Sequence, residues 1–315
     1  MMTLTNLREL LRYDHEPGVL RVRDLARLPE ERFTELRTVE AVADALGESM
    51  YSSTVLSLLA GYGLALAARA WQGRQPDARR AAMIQASEQL RTARPSIAEA
   101  RMLDAALQRA DAAVFAGEDA ERAVIHVVDE ALRQAGRAAE RCGRRAAELL
   151  QDEDTIVIAG PIGPTWWWML HSARQAHKQV RLVVDGAPAS QLVTQQAQQL
   201  GVTVVPFETT TASAWNIVMI EAEQIARDGS VAAPHHARQY AEVARQHNVP
   251  CYVLCAVGPD TDASTNADLF TFPSIDIIFP QFISAIVTDR GIYRPAMITR
   301  YFDDGNAPLD VIPLM

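Results

Sequence analysis

Two carboxylates, Glu221 and Glu223, follow a short apolar run at residues 217–220 and precede two adjacent imidazoles, His235 and His236. So short an apolar run fits a buried parallel strand. The carboxyl end of such a strand is where open α/β sheets place their ligands. Asp228-Gly229 then turns the chain. Pro234 stands where a helix would begin, with Tyr240, Ala241 and Ala244 as its buried stripe. This spacing places both histidines in the helix's first turn, facing the same crevice as the glutamates. A glutamate beside a histidine is a proton-transfer pair at neutral pH. The same residues also read as a capped helix start with solvent-exposed imidazoles, and the sequence leaves both readings open.

The elements that would position these groups follow from the rhythm of the chain. From Asp154 onward, β-rich runs at 155–159, 180–184, 203–207, 216–220 and 251–255 are mostly separated by helical patterns. That alternation predicts an α/β fold: a Rossmann-like domain over 153–315 with a mainly parallel sheet covered on both faces. Residues 1–118 read as a mostly helical domain with a small β element near 19–22 and 35–37. Helical spacing recurs at 77–92 and 97–115, with Pro95-Ser96 as the break between them. Residues 119–152 form one Ala- and Arg-rich pattern with apolar positions at Val124, Val127, Val128, Leu132, Ala139 and Leu149. It predicts a connecting helix that Gly136 and Gly143 weaken without breaking.

The first turn of the α/β part reads Gly160-Pro161-Ile162-Gly163. It lacks the third glycine of a dinucleotide fingerprint, and Pro161 removes an amide that a pyrophosphate would need. No cofactor is expected. Trp166, Trp167 and Trp168 follow directly. Three successive indoles cannot share one helix face. Core packing or an oligomer interface is their plainer reading, with one, such as Trp166, available to floor a pocket. No metal site is expected. His171 and His177 would point in different directions on a helix, and Cys251 and Cys255 lack partner spacing. The cysteines read as small core hydrophobes.

Composition excludes several classes. The formal net charge of −9 opposes non-specific nucleic-acid binding, which requires a cationic surface. Three cysteines without secretory patterning fit a reduced, cytoplasmic setting. The apolar run at 54–68 contains Gly61, Tyr62 and Gly63 and falls short of the ~20 residues that span a bilayer. It reads as a buried helix, and no membrane partner is expected.

The order of segments resembles the methylthioribose-1-phosphate isomerase family, which also includes regulatory subunits of the translation initiation factor two-B. The family's Gly-Ala-Asp-Arg-Ile-Ala, Asn-Gly-Asp-Val-Ala-Asn-Lys-Ile-Gly-Thr and Ile-Pro-Phe-Tyr-Val follow the frame of residues 216–253. Gly18-Val-Leu-Arg-Val-Arg-Asp-Leu-Ala-Arg-Leu-Pro and Leu36-Arg-Thr-Val-Glu-Ala-Val-Ala-Asp-Ala-Leu resemble the isomerase opening. Ala60-Gly-Tyr-Gly-Leu-Ala-Leu-Ala-Ala, Thr92-Ala-Arg-Pro-Ser and Ala285-Ile-Val-Thr-Asp-Arg-Gly-Ile-Tyr-Arg-Pro match further fragments in the family's order.

The resemblance implies acid/base chemistry that moves hydrogen between C1 and C2 of a sugar 1-phosphate, with fixed donors for the phosphate. It puts the family's catalytic Asp on Glu223 and its catalytic Cys on Gly160. Its Asn-Lys falls on Ala233-Pro234, its Arg-Gly-Ala-Pro on Tyr51-Ser52-Ser53-Thr54, and its Asp-Glu-Thr-Arg-Pro on the shortened Asp185-Gly-Ala-Pro188. Arg94-Pro95 is retained. Losing two or three charge-assisted phosphate contacts, each worth roughly 1.5–3 kcal/mol, would weaken phosphate binding by several powers of ten. The gains are Glu221 in place of a Gly, and His235-His236 in place of an Ile-Gly.

Three readings follow. The first is an enzyme with a rebuilt pocket, using Glu223 with His235 or Glu221 on a small sugar- or nucleoside-derived molecule. The second is a non-catalytic metabolite-binding or regulatory subunit. The third is the ordinary sugar-phosphate isomerase. Candidate contacts to the small-molecule ligand are Tyr51, Arg94, Gly160, Pro161, Ile162, Gly163, Trp166, Asp185 and His236. Family likeness implies a homodimer through the C-terminal domain, with the apolar tail at 309–315 available to the contact.

Overall fold

The computed structural model describes residues 7–27, 30, 32–47, 51–94, 97–160, 163–184, 188–234, 236–256 and 275–303. Pro161, Ile162, Asp185, His235, Pro95-Ser96 and the tail at 309–315 lie outside the described residues. The chain forms two compact units, Asn6–Gln134 and, apart from a few N-terminal residues, Ala135–Met315.

The first unit carries an antiparallel sheet of β1 (Leu11–Asp14), β2 (Val19–Arg23) and β3 (Phe33–Leu36), in that order. The sequence predicts only the β2–β3 pair. Strand β1 escapes because Arg12 and Asp14 interrupt its apolar signal, although Leu11 is buried. Gly18, at φ +61, closes the β1–β2 hairpin, where only glycine is unstrained. Arg69 fastens that turn by donating to the carbonyls of His15 (2.8 Å) and Glu16 (2.9 Å). Its guanidinium also meets buried Glu121, which accepts from the Tyr13 hydroxyl at 2.7 Å as well.

Helices α1 (Val39–Gly47), α2 (Ser53–Ala70), α3 (Pro76–Ala93) and α4 (Ile97–Ala116) complete the first unit, and α5 (Ala120–Glu148) begins in it. Helix α2 is the helix predicted from its apolar run. It is long and apolar enough to cross a membrane, yet 83% of that stretch is buried inside the protein. A helix that is apolar on every side is satisfied by burial at the centre of a bundle. Gly61 permits close packing there: a Cβ on it would stand 2.7 Å from Val128 Cγ2.

The second unit is built, among its described residues, on a seven-stranded sheet. Its strands are β4 (Thr155–Ala159), β5 (Arg181–Val184), β6 (Thr203–Pro206), β7 (Ile217–Glu221), β10 (Cys251–Cys255), β12 (Ala285–Thr288) and β13 (Ile292–Tyr293). The order is β13-β12-β10-β7-β4-β5-β6, parallel throughout except for the terminal β12–β13 hairpin. The first five of these strands match the predicted runs within a residue. Helices α6 (Pro164–Gln175), α7 (Pro188–Gln199) and α8 (Ala237–Gln246) accompany them. Cys142, Cys251 and Cys255 are all buried and free, as expected of core hydrophobes.

One expectation is corrected. Pro234 does not start a helix but ends strand β9 (Val231–Pro234), which pairs with β8 (Gln224–Ile225) and β11 (Ile275–Ile278) in a small antiparallel sheet. Proline fits the last position of a strand because the ladder stops there and needs no further amide. The helix begins three residues later, at Ala237. His236 precedes it in the left-handed conformation (φ 74) and is exposed, so it is a capping position and not part of the first turn. The buried stripe of α8 is Ala237, Ala241 and Ala244, with Tyr240 only partly covered.

Candidate functional site

From β4 the chain steps outward to β5 and β6, then returns to the opposite side of β4 to lay down β7, β10 and β12. The reversal opens the sheet between β4 and β7, the switch point at which open α/β sheets bind ligands beyond the carboxyl ends of their strands. The register pairs Ala159 with Ile220, so the next residues, Gly160 and Glu221, flank this crevice.

Gly160 sits at φ +128, and a Cβ on it would stand 2.8 Å from the Glu221 carbonyl oxygen and 2.9 Å from its amide nitrogen. Backbone cannot yield as a flexible side chain can, so this position accommodates glycine alone. Gly163 caps the N-terminus of α6, with Pro164 as the first helical residue. A Cβ on Gly163 would lie 3.2 Å from Glu221 Oε1. The glutamate carboxyl therefore rests against the start of that helix.

Glu221 is only 8% exposed. Its Oε1 accepts a hydrogen bond from the Thr165 hydroxyl at 2.9 Å. Its Oε2 is buried and has no hydrogen-bond partner among the described residues. Burial pushes the Glu221 carboxyl up to about 8, the Thr165 bond opposes this, and neighbouring Glu223 adds to the rise. Burial disfavours the charged form of Glu221 above all, and the neighbouring Glu223 carboxyl adds a smaller push in the same direction. At neutral pH, Glu221 is thus a carboxylic acid with one oxygen uncommitted. Glu223 is half-buried beyond the strand, and its amide donates to Ala232 of β9 at 2.8 Å, which fixes the backbone that carries it.

The surroundings are acidic. Burial raises the Cys255 thiol, with Glu221, Asp289 and Glu223 adding to the effect. Cys142, on α5, is raised in the same way and donates to the Val287 carbonyl at 3.3 Å. Neither thiol is a nucleophile at neutral pH, since the thiolate is the reactive form. Arg141 pairs with buried Asp289 at 2.8 Å.

Of the sequence-predicted residues, the structure brings together Gly160, Gly163, Glu221 and Glu223. Trp166 is buried in the first turn of α6, Trp167 stacks on His171, and half-buried Trp168 lies beneath the Arg144 guanidinium. Tyr51 and Arg94 belong to the first unit. There Arg94 approaches buried Glu99 at 3.5 Å, and burial raises the Tyr51 hydroxyl. Sequence reasoning missed Thr165. Its only signal was a hydroxyl in the first turn of a helix that opens with proline. Among the described residues no three His, Cys, Asp or Glu side chains gather as a metal site.

Comparison with known proteins agrees with this architecture. The chain is 26% identical over 319 residues to a methylthioribose-1-phosphate isomerase of Dehalococcoides mccartyi, covering 86% of this chain and 95% of that one. Its fold is similar to the translation initiation factor eIF-2B delta subunit of A. fulgidus (TM-score 0.69, 20% identity, 91% and 96% coverage). It is also similar to the 5-methylthioribose 1-phosphate isomerase of Pyrococcus horikoshii (TM-score 0.67, 19% identity, 96% and 99% coverage). The initiation factor 2 subunit family is matched over residues 50–258, well over half of the sequence, and the chain belongs to that family.

Proposed function

We propose that this protein is an acid/base enzyme on an isomerase-like scaffold, acting on a small sugar- or nucleoside-derived substrate in the crevice between β4 and β7. The observation that carries the reading is the buried Glu221 carboxyl with an uncommitted oxygen at the switch point. Paired carboxyls whose environments separate their proton affinities divide into an acid and a base. In this scheme the neutral Glu221 donates to a carbonyl or ring oxygen, while Glu223 accepts a proton from the adjacent carbon. His235 follows β9 in the sequence and is the third candidate for proton transfer.

A specific observation favours the second reading, a non-catalytic binding or regulatory subunit. Position 160, where family likeness puts the catalytic thiol, has no room for any side chain. Solvent-deuterium incorporation into a panel of pentoses, nucleosides and their phosphates separates the two. An enzyme incorporates label, Glu223→Gln abolishes it while the fold persists, and Glu221→Gln slows it by about 10²-fold or more. Absence of exchange across the panel, or full activity in both variants, refutes the catalytic assignment. The same reading includes a homodimer, for which sedimentation over a range of concentrations is the check.

A further inference from the structure

Glu223 stands at one root of the β8–β9 hairpin. Its amide donates to Ala232, and the ladder continues with Gln224 opposite Ala232 and Ile225 opposite Val231. Beyond the ladder the Ala226 amide donates to Ser230 and the Gly229 amide to Ala226, closing a three-residue loop with Gly229 at φ +85. A hairpin loop of this length takes a left-handed residue at its third position. Asp228 locks the loop from within, accepting from the Ser230 amide (2.9 Å) and hydroxyl (3.1 Å).

The tip of this hairpin is seated on the far end of the chain. Gly229 is buried, and a Cβ on it would stand 2.6 Å from the Pro295 carbonyl oxygen. The tip thus rests backbone to backbone on the turn Pro295–Met297. Beside it, the Arg227 guanidinium lies 5.5 Å from the centre of the Phe302 ring, in the short helix Thr299–Asp303. Both faces of the hairpin are covered as well. Ile225, Val231 and Ala233 share a core cluster with Tyr293 and Ile298, while Ala226 and Ala232 pack with Ile275 and Ile277 of β11. Closely packed layers transmit a displacement instead of absorbing it. A shift at the loop therefore reaches Glu223, roughly 10 Å away along the strand.

We infer that Gly229 and the segment Pro295–Phe302 position Glu223: the segment seats the tip of the hairpin and thereby sets how near the Glu223 carboxyl stands to Glu221. Gly229 and Phe302 touch neither carboxyl and act only through the hairpin. Their effect on turnover rests on Glu223 being the base proposed above, whereas their effect on Glu221 does not. A base must stand about 3 Å from the proton it takes, so small displacements of the hairpin weaken it. Glu223 also adds to the proton affinity of Glu221, which makes its position readable apart from turnover.

Carboxyl carbon NMR of the full chain, with Glu221 assigned through Glu221→Gln, follows the ionisation of Glu221 in each variant. Glu223→Gln gives its titration without the neighbouring charge. Gly229→Ala sets a methyl group against the Pro295 carbonyl. It should move the Glu221 titration off its parental position and lower kcat for exchange by about tenfold or more, with KM nearly unchanged. Phe302→Leu keeps the apolar contact but removes the ring beneath Arg227, and should give a smaller shift in the same direction. Gly73→Ala is the control for backbone strain alone. Gly73 has φ +80 but nothing within 4 Å of an added Cβ, so both readouts should stay parental. An unshifted Glu221 titration in both Gly229→Ala and Phe302→Leu, or an equal shift in Gly73→Ala, overturns the inference. If the parent shows no exchange, the catalytic assignment falls and the titrations alone decide this one.

Discussion

Gly160 and Glu221 stand side by side at the carboxyl ends of two adjacent parallel strands, so close that a Cβ on the glycine would lie 2.8 Å from the glutamate's carbonyl oxygen. The glycine also sits at φ +128, a region closed to other residues without strain. Gly160→Cys, which would supply the thiol implied by family likeness, is therefore expected to lower the unfolding free energy by about 2–4 kcal/mol. Gly163→Ala has ordinary extended backbone and meets only a side-chain carboxyl at 3.2 Å, so it should cost less than half as much. Urea titration of the two variants gives the comparison. A Gly160→Cys midpoint equal to that of the parent would show that the strand ends can part.

Much of the strand geometry around Glu221 is legible in the sequence because strand ends announce themselves. The apolar run before Glu221 marked both the strand and its carboxyl terminus, and the Gly160–Gly163 turn marked the other wall. The contact between Gly160 and Glu221 was not legible, since it depends on β7 pairing with β4 from some sixty positions away. Strand order is a tertiary fact with no local signature. The same reasoning explains the error at Pro234. Proline is compatible with both a helix start and a strand end, and only the partner strand β11, distant in sequence, decides between them. Strand β13 has two residues, too little for periodicity to register.

The raised proton affinity of Glu221 has a consequence for stability. A carboxyl held up to about 8 in the folded protein keeps its proton where the unfolded chain has already lost it. The folded state then binds more protons than the unfolded one, and stability falls as pH rises from the ordinary glutamate range toward 8. Below that range both states are protonated and the penalty vanishes. Above about 8 it is level, with a ceiling on the order of 5 kcal/mol. Glu221→Gln has no proton to lose. It should match the parent near pH 4.5 and exceed it in melting temperature at pH 8. Parallel melting curves across that interval would place the ionised carboxyl in a solvated environment.

Two glycines of α5 are expected to behave in opposite ways. A Cβ on Gly143 would lie 2.5 Å from the Thr165 carbonyl oxygen and 2.7 Å from Trp168 Cβ, so α5 and α6 touch there through backbone. Gly143→Ala forces the helices apart and should cost roughly 2–3 kcal/mol, displacing Thr165 from Glu221 as well. Gly136 has nothing within 4 Å of its added Cβ. Gly136→Ala should instead stabilise by about 0.5–1 kcal/mol, the ordinary gain of alanine over glycine in a helix interior. Equal effects from the two substitutions, measured by thermal melting, would contradict the helix contact.

Thr165 gives the sharpest separation between a structural and a chemical role for the crevice. Its hydroxyl is the hydrogen bond that draws the Glu221 carboxyl downward against burial and Glu223. Thr165→Val preserves shape but removes the donor, so the Glu221 carboxyl should rise further and both of its oxygens would stand unpartnered. The stability cost should be about 1–3 kcal/mol, as for other buried acceptors left unpaired. If protonated Glu221 is the acid, the alkaline limb of kcat/KM follows its ionisation, near 8 in the parent, and moves to higher pH in Thr165→Val. Serine at this position restores the donor and should return the limb to its original place. A loss of stability with an unmoved alkaline limb would assign Thr165 to packing alone and take Glu221 out of the proton path.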